Sequence, residues 1–246
     1  MKDKTSQITE GVLIPPLFAV LSIWLIYWIE VRFGLNFNDL GVNPRTFGGL
    51  KGVLFSPFVH SSIEHLYNNT IPLAVLTLFL FLFYRKVAFK ILLIGVLGSG
   101  FLTWCIGRPS FHIGASGLIY VLASFIFFKG IFTKHYRLVA LSLIVVFIYG
   151  SMIWYIFPVK DGISWEGHLS GFIVGLVLAI FLKVEMPVDK KYEWEKEGFE
   201  ADDDPFLKHF DEHGNFIENP DMSNSGDEDF QVNYHFRSNK DKGTSS

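Results

Sequence analysis

Six long stretches of the chain carry no charged residue: 11–29, 65–84, 91–107, 109–128, 138–159 and 167–182, each bounded by a charge. A helix needs about 20 apolar residues to cross the roughly 30 Å hydrocarbon core of a bilayer, with a working range of about 17–25. Five of the six stretches reach that range, and the last falls one residue short. The sequence therefore predicts an all-α polytopic membrane protein with six transmembrane helices. Composition agrees, since half of the 246 residues are hydrophobic and only 18% are charged, against about a quarter in an ordinary soluble domain.

Charge divides the chain. Residues 1–183 hold 14 Lys and Arg against 7 Asp and Glu, whereas residues 184–246 hold 7 against 17. The reading is a cytoplasmic N-terminus at 1–10, a membrane domain at 11–183 and an acidic, flexible cytoplasmic tail at 184–246. No basic stripe suits nucleic acid, and the tail would repel phosphate, so no nucleic-acid partner is expected. The single Cys105 rules out an internal disulfide and reads as a small core residue. The N-terminal apolar stretch is too long for a signal peptide and lacks a small-x-small cleavage site, so it reads as an uncleaved first helix.

Basic residues concentrate on the cytoplasmic side of membrane proteins. Lys2, Lys4, Arg85, Lys86, Lys90, Lys129, Lys134, Arg137 and Lys183 fall on one side, and Arg32, Arg45, Lys51, Arg108 and Lys160 on the other. Both termini are expected to be cytoplasmic, with the second, fourth and sixth helices running inward from the outer face. The first outer segment, about 33–64, is long and rich in Phe, Leu and Gly, as suits a loop lying in the interface or dipping into the bilayer.

Polar side chains inside membrane helices are costly and are functional hypotheses by default. Three clusters qualify: HSSIEHLYNN at 60–69, GASGLIY at 114–120 and GHLSG at 167–171. They open the second, fourth and sixth helices. At 1.5 Å rise per residue, Asn69 lies about 24 Å from Arg85, Ser116 about 20 Å from Lys129, and His168 about 22 Å from Lys183. Three helices thus bring polar groups to one depth. Gly167, Gly171 and Gly175 recur every four residues, the spacing that lets helix backbones approach.

If those faces meet, Ser116 and His168 can form the nucleophile–base pair of covalent catalysis. Tyr120, one turn below Ser116, would pack on the His168 ring. The α-helical N-terminus at Ser116 offers free N–H groups to an oxyanion, and His65 and Asn69, on one helical face, would add side-chain donors. Taken singly, a serine among glycines or an asparagine in a membrane helix is more often interhelical packing. His60 and His112 read as structural. Glu166 and Asp161 are assigned to the outer loop, which leaves a Ser–His dyad without an acidic third member.

These motifs resemble those of the rhomboid intramembrane serine proteases. The resemblance covers about 11–183 and rests on HSSIEHLYNN, on GASG followed by Tyr120, and on GHLSGFIVG at 167–175, in the order found in bacterial six-helix members. It implies a six-helix rhomboid-like bundle with a membrane-embedded first loop. It further implies Ser116 as nucleophile, His168 as general base, His65 and Asn69 with the Ser116 N–H as oxyanion hole, and Tyr120, Gly114 and Gly171 in support. Residues 157–166 would cap the site, and the fifth helix, about 138–156, would flank the substrate's lateral route. The implied activity is serine endopeptidase cleavage of single-pass or other transmembrane proteins, among membrane lipids, in a bacterial cytoplasmic membrane, without metal or organic cofactor. One departure is that many members carry a Trp-Arg pair in the first loop, where this chain has Asn43-Pro44-Arg45-Thr46. Two other readings remain: a non-proteolytic scaffold or chaperone of membrane proteins, and a transporter or haem-binding bundle using His65 and His168.

Overall fold

The computed structural model describes residues 4–148, 154–160, 162–184, 192, 197–200, 204, 206–211 and 213–218. They form seven α-helices: α1 (Lys4–Phe33), α2 (Gly52–Phe55), α3 (Ile63–Phe83), α4 (Ala88–Ile106), α5 (Ser116–Phe132), α6 (Tyr136–Ile148) and α7 (Trp165–Phe181). Among the described residues there is no strand beyond two isolated bridges, Val42 with His112 and Phe210 with Phe216. Gly11–Phe33, Ile63–Phe83 and Ala88–Ile106 are long and apolar enough to cross a bilayer, while α5, α6 and α7 are apolar but no longer than 17 residues. The described residues are helical, and the protein is an integral membrane protein.

The chain falls into two units, Met1–Pro187 and Val188–Ser246. In the second, the Asp211 carboxylate accepts the N–H groups of His213 and Asn215 and closes a tight turn between Phe210 and Phe216. Most of the remaining acidic tail, with Trp194, lies outside the described residues.

In the first unit α5 is the central helix. Every residue from Ile119 to Ile126 is buried, which is what a helix with neighbours on all sides requires and why its sequence shows no amphipathic period. The core joins Leu66, Leu73, Leu76 and Leu80 of α3 and Ile91 of α4 to Val121, Leu122 and Phe125 of α5 and Ala179 of α7. On the outer side of α3, α1 is pinned by Trp24, whose indole N–H donates to Thr70 Oγ1 at 3.0 Å while its ring meets Tyr67 edge-on.

The closest helix pairing is α5 with α7. A Cβ built on Gly171 would lie 2.2 Å from the Gly117 carbonyl oxygen, and one on Gly175 would lie 2.4 Å from that of Val121. Only glycine permits backbones this near. At the other end, the Lys129 ammonium donates to the carbonyls of Ala179 and Leu182 at 3.0 and 2.6 Å. It caps the C-terminus of α7, whose last carbonyls have no partner within the helix. Lys129 is thus a buried α5 residue rather than part of the inner loop to which the charge pattern assigned it.

Charges bound the apolar runs but do not end helices. α1 continues past Glu30 and Arg32 and stops at Gly34, which takes a left-handed φ of +64° while the Leu35 N–H bonds back to the Glu30 carbonyl. Similarly, Glu166 is not a loop residue: it sits in the first turn of α7 and is 1% exposed. The fifth apolar run is not described as one helix, since α6 is followed from Trp154 to Ile156 by a separate 3-10 turn. Cys105 is exposed, so its assignment to the core also fails.

The first outer segment folds back on α4. Arg45 takes a left-handed φ of 57°, and its guanidinium donates to the carbonyls of Cys105 and Gly107 at 3.2 and 2.8 Å. Those carbonyls end α4 and need outside donors. The Trp104 indole N–H answers from α4, donating to the Thr46 carbonyl at 2.8 Å. The tryptophan missing beside Arg45 is therefore matched by one approaching from α4.

Candidate active site

Ser116 is the first residue of α5 and His168 lies in the first turn of α7. The tight glycine seam between these helices brings the two together: the Ser116 hydroxyl lies 2.9 Å from His168 Nε2. The other ring nitrogen, Nδ1, lies 2.9 Å from the backbone carbonyl of Tyr155. A carbonyl only accepts, so Nδ1 carries the proton and Nε2 is left as the acceptor for the serine O–H. Tyr120 stacks on the imidazole with centroids 4.3 Å apart and planes 11° from parallel. The ring is held from one edge and one face.

The Tyr155 carbonyl sits on Nδ1, the ring position at which the acidic residue of a Ser–His–Asp triad orients its histidine. Sequence reasoning missed it because a backbone carbonyl leaves no trace in residue identity. Asp161, the other acid considered, lies outside the described residues.

Gly114 brings α3 to the site. Its φ is +107°, and a Cβ there would lie 2.6 Å from His65 Nε2 and 3.3 Å from Asn69 Nδ2. Both side chains therefore press on the backbone two residues before Ser116, which explains why the turn into α5 needs a glycine on two counts. A cavity of about 660 Å³ is lined by His65, Asn69, Ser116, Tyr120, Tyr155 and His168 together. Exposed Ser61, Ser62, Glu64 and Lys160 also line it. All four residues assigned to chemistry by the sequence, together with Tyr120, thus share one polar cavity, while Gly114 packs against His65 and Asn69 and Gly171 against Gly117 and Tyr120.

His60, read from the sequence as structural, joins this group through Asn69. It is 2% exposed, and its Nε2 accepts from Asn69 Nδ2 at 3.0 Å while Nδ1–H points to the Phe58 carbonyl at 3.3 Å. The bond fixes the Asn69 amide and leaves its second N–H for the cavity. Burial, then the neighbouring His65, push the His60 imidazole down from 6.5 to about 4, with the Phe58 carbonyl opposing. Between those values the unfolded chain binds the extra proton, so this contribution is complete above pH 6.5 and lost as pH falls towards 4. A shift of this size is worth about 3 kcal/mol. Thermal unfolding in detergent is expected to drop more steeply from pH 7 to pH 4.5 in wild type than in His60→Asn. Parallel curves would remove His60 from the acid response.

Residues 48–184 match the family description "Rhomboid domain". This chain belongs to the rhomboid family. Among similar curated proteins, "Uncharacterized protein Mb1372" of Mycobacterium bovis is 36% identical over 173 residues, 66% of this chain and 72% of that one. "Uncharacterized protein ML1171" of Mycobacterium leprae is 33% identical over 171 residues, covering 64% and 67%. The rhomboid match takes in all of α3 to α7 and so every residue of the cavity named above. Rhomboids are in general serine intramembrane proteases, whereas these two relatives' names carry no activity.

Proposed function

We propose that the protein is an intramembrane serine endopeptidase that hydrolyses peptide bonds in or beside transmembrane segments of other membrane proteins. The observation that carries this reading is the 2.9 Å Ser116–His168 contact with Nδ1 held by the Tyr155 carbonyl. His168 takes the Ser116 proton as the oxygen attacks the scissile carbonyl. The oxyanion rests on the Ser116 N–H, His65 and Asn69 at the start of a helix, where free amides and the dipole favour negative charge. His168 then protonates the leaving amine, and water hydrolyses the acyl-enzyme.

In this reading α1, α3, α4, α5, α6 and α7 all cross the bilayer, with both termini cytoplasmic and the cavity opening outward; Lys129 no longer counts in that orientation. Short α5 and α7 suit the role, because starting them below the outer interface leaves room for a water-filled cavity. The exposed Phe47, Leu54 and Phe55 of the first loop would rest among lipid. No metal or organic cofactor enters the chemistry. Substrate helices must unwind to present a carbonyl, which favours small or helix-breaking residues near the cut.

The deciding experiment is cleavage of a labelled single-pass substrate by detergent-purified protein, beside labelling of Ser116 by a fluorophosphonate. Absence of both in folded protein would sink the proposal in favour of a scaffold. Asn69→Ala is expected to lower kcat by about 10²–10³, the usual cost of one oxyanion donor, with KM little changed. Steady-state kinetics on the same substrate tests this, and an unaltered kcat would take Asn69 out of the oxyanion hole.

A further inference from the structure

His112 sits in the segment that leads into α5, four residues before Ser116, and Ser164 caps α7 four residues before His168. Their side chains meet across the gap, with His112 Nδ1 2.6 Å from Ser164 Oγ. We infer that this His112–Ser164 hydrogen bond is a positioning contact that sets the alignment of His168 with Ser116 along the α5–α7 seam. The inference rests on the protease reading above.

The donors and acceptors form a single consistent chain. Gly167 N–H donates to Ser164 Oγ at 3.3 Å, Ser164 O–H donates to His112 Nδ1, and His112 Nε2–H donates to the Arg108 carbonyl at 3.1 Å. This requires a neutral His112, and burial does push its imidazole below the ordinary value. Both ends are anchored. The His112 N–H and C=O each bond to Val42 at 2.9 Å, and the Gly114 N–H bonds to the Ser56 carbonyl, so the first loop grips the approach to Ser116. On the other side the His168 N–H donates to the Ser164 carbonyl at 3.2 Å, so the turn that carries the base is built on Ser164.

A second layer lies alongside: Arg108 donates from its backbone to Glu166 Oε1 at 3.2 Å and from its guanidinium to the Ile163 carbonyl at 2.6 Å. The glycine seam fixes how far apart α5 and α7 stand. It does not fix how far the first turn of α7 can slide or tilt along α5. The directional bond from His112 to Ser164 does, and a reacting pair displaced by about 1 Å can lose up to 10²-fold in rate.

Positioning can be separated from helix capping. Glycine is nearly as good an N-cap as serine, so Ser164→Gly keeps α7 folded while removing the hydroxyl; Ser164→Thr keeps both. The measurement is kcat, KM and unfolding temperature of the full chain on a labelled transmembrane substrate, with Ser116→Ala and fluorophosphonate labelling as controls for the protease reading. Ser164→Gly and His112→Ala are each expected to lower kcat about tenfold or more with KM within about twofold, since the change affects alignment and not binding. Ser164→Thr is expected to restore wild-type kcat, and the double variant to lose no more than either single, because the two share one bond. An unchanged kcat in folded Ser164→Gly, or losses that multiply in the double variant, overturns the inference while wild-type cleavage leaves the protease reading standing. Wild type that neither cleaves nor labels overturns both.

Discussion

Ser116→Ala is expected to lower kcat by about 10⁴–10⁶-fold, the range seen when one member of a serine hydrolase's catalytic unit is removed. KM should stay near wild type. The size of the effect separates chemistry from packing. As a structural group, the Ser116 hydroxyl gives up one hydrogen bond to His168, worth about 1 kcal/mol of stability. The same atom as nucleophile accounts for about 5–8 kcal/mol of barrier. Ala fits the site without a clash, so the unfolding temperature should move by only a few degrees while turnover disappears. His168→Ala should lose a similar factor, and the double variant little more, because nucleophile and base act as one unit. Turnover that survives Ser116→Ala would assign the nucleophile elsewhere. A folded wild type without turnover or fluorophosphonate labelling would turn attention to the scaffold reading.

The parts of this site that were legible in the sequence share a property: each is a side chain whose chemistry is out of place in lipid. Ser116, His168, His65 and Asn69 stood out because polar groups at one depth on three helices need a reason. Tyr120 and the glycines followed from helical spacing, and the structure places them where that spacing implies. What could not be read are the contacts made to backbone. The Tyr155 carbonyl that sets the His168 tautomer, the Arg45 cap on α4 and the Lys129 cap on α7 depend on where chain ends meet, and any residue supplies a carbonyl. His60 and His112 were read as structural, but what each of them holds escaped for a different reason. Their partners, Asn69 and Ser164, belong to segments nine and 52 residues away, and a lone buried histidine has no period to reveal it. Helix limits were misplaced where charges stood in for ends, as at Glu30 and Glu166, because a helix ends where its carbonyls find other donors.

Gly171→Ala is expected to destabilise the protein by about 1–3 kcal/mol, as over-packing usually does, and to lower kcat by up to about 10²-fold. A Cβ at this position would meet the Gly117 carbonyl oxygen at 2.2 Å and Tyr120 Cβ at 2.9 Å. The first obstacle is helix backbone, which no rotamer change can move aside, so α5 and α7 must part by about an ångström to reach ordinary van der Waals contact. Ser116 immediately precedes Gly117, and His168 lies three residues before Gly171. The parting therefore acts on the 2.9 Å hydroxyl–imidazole contact itself. A close control exists on the facing helix. A Cβ on Gly117 would have its nearest neighbour at 3.6 Å, the Gly167 carbonyl, so Gly117→Ala should fold as well as wild type or slightly better, alanine being the stronger helix former. Unfolding temperature and kcat measured for the two variants side by side give the test. Equal stability would mean that the seam yields more easily than its backbone contacts imply. Loss of stability in Gly171→Ala without loss of kcat would mean that α7 can part from α5 below the site while its first turn stays in place, and would overturn the assignment of the α5–α7 separation at the site to the glycine seam.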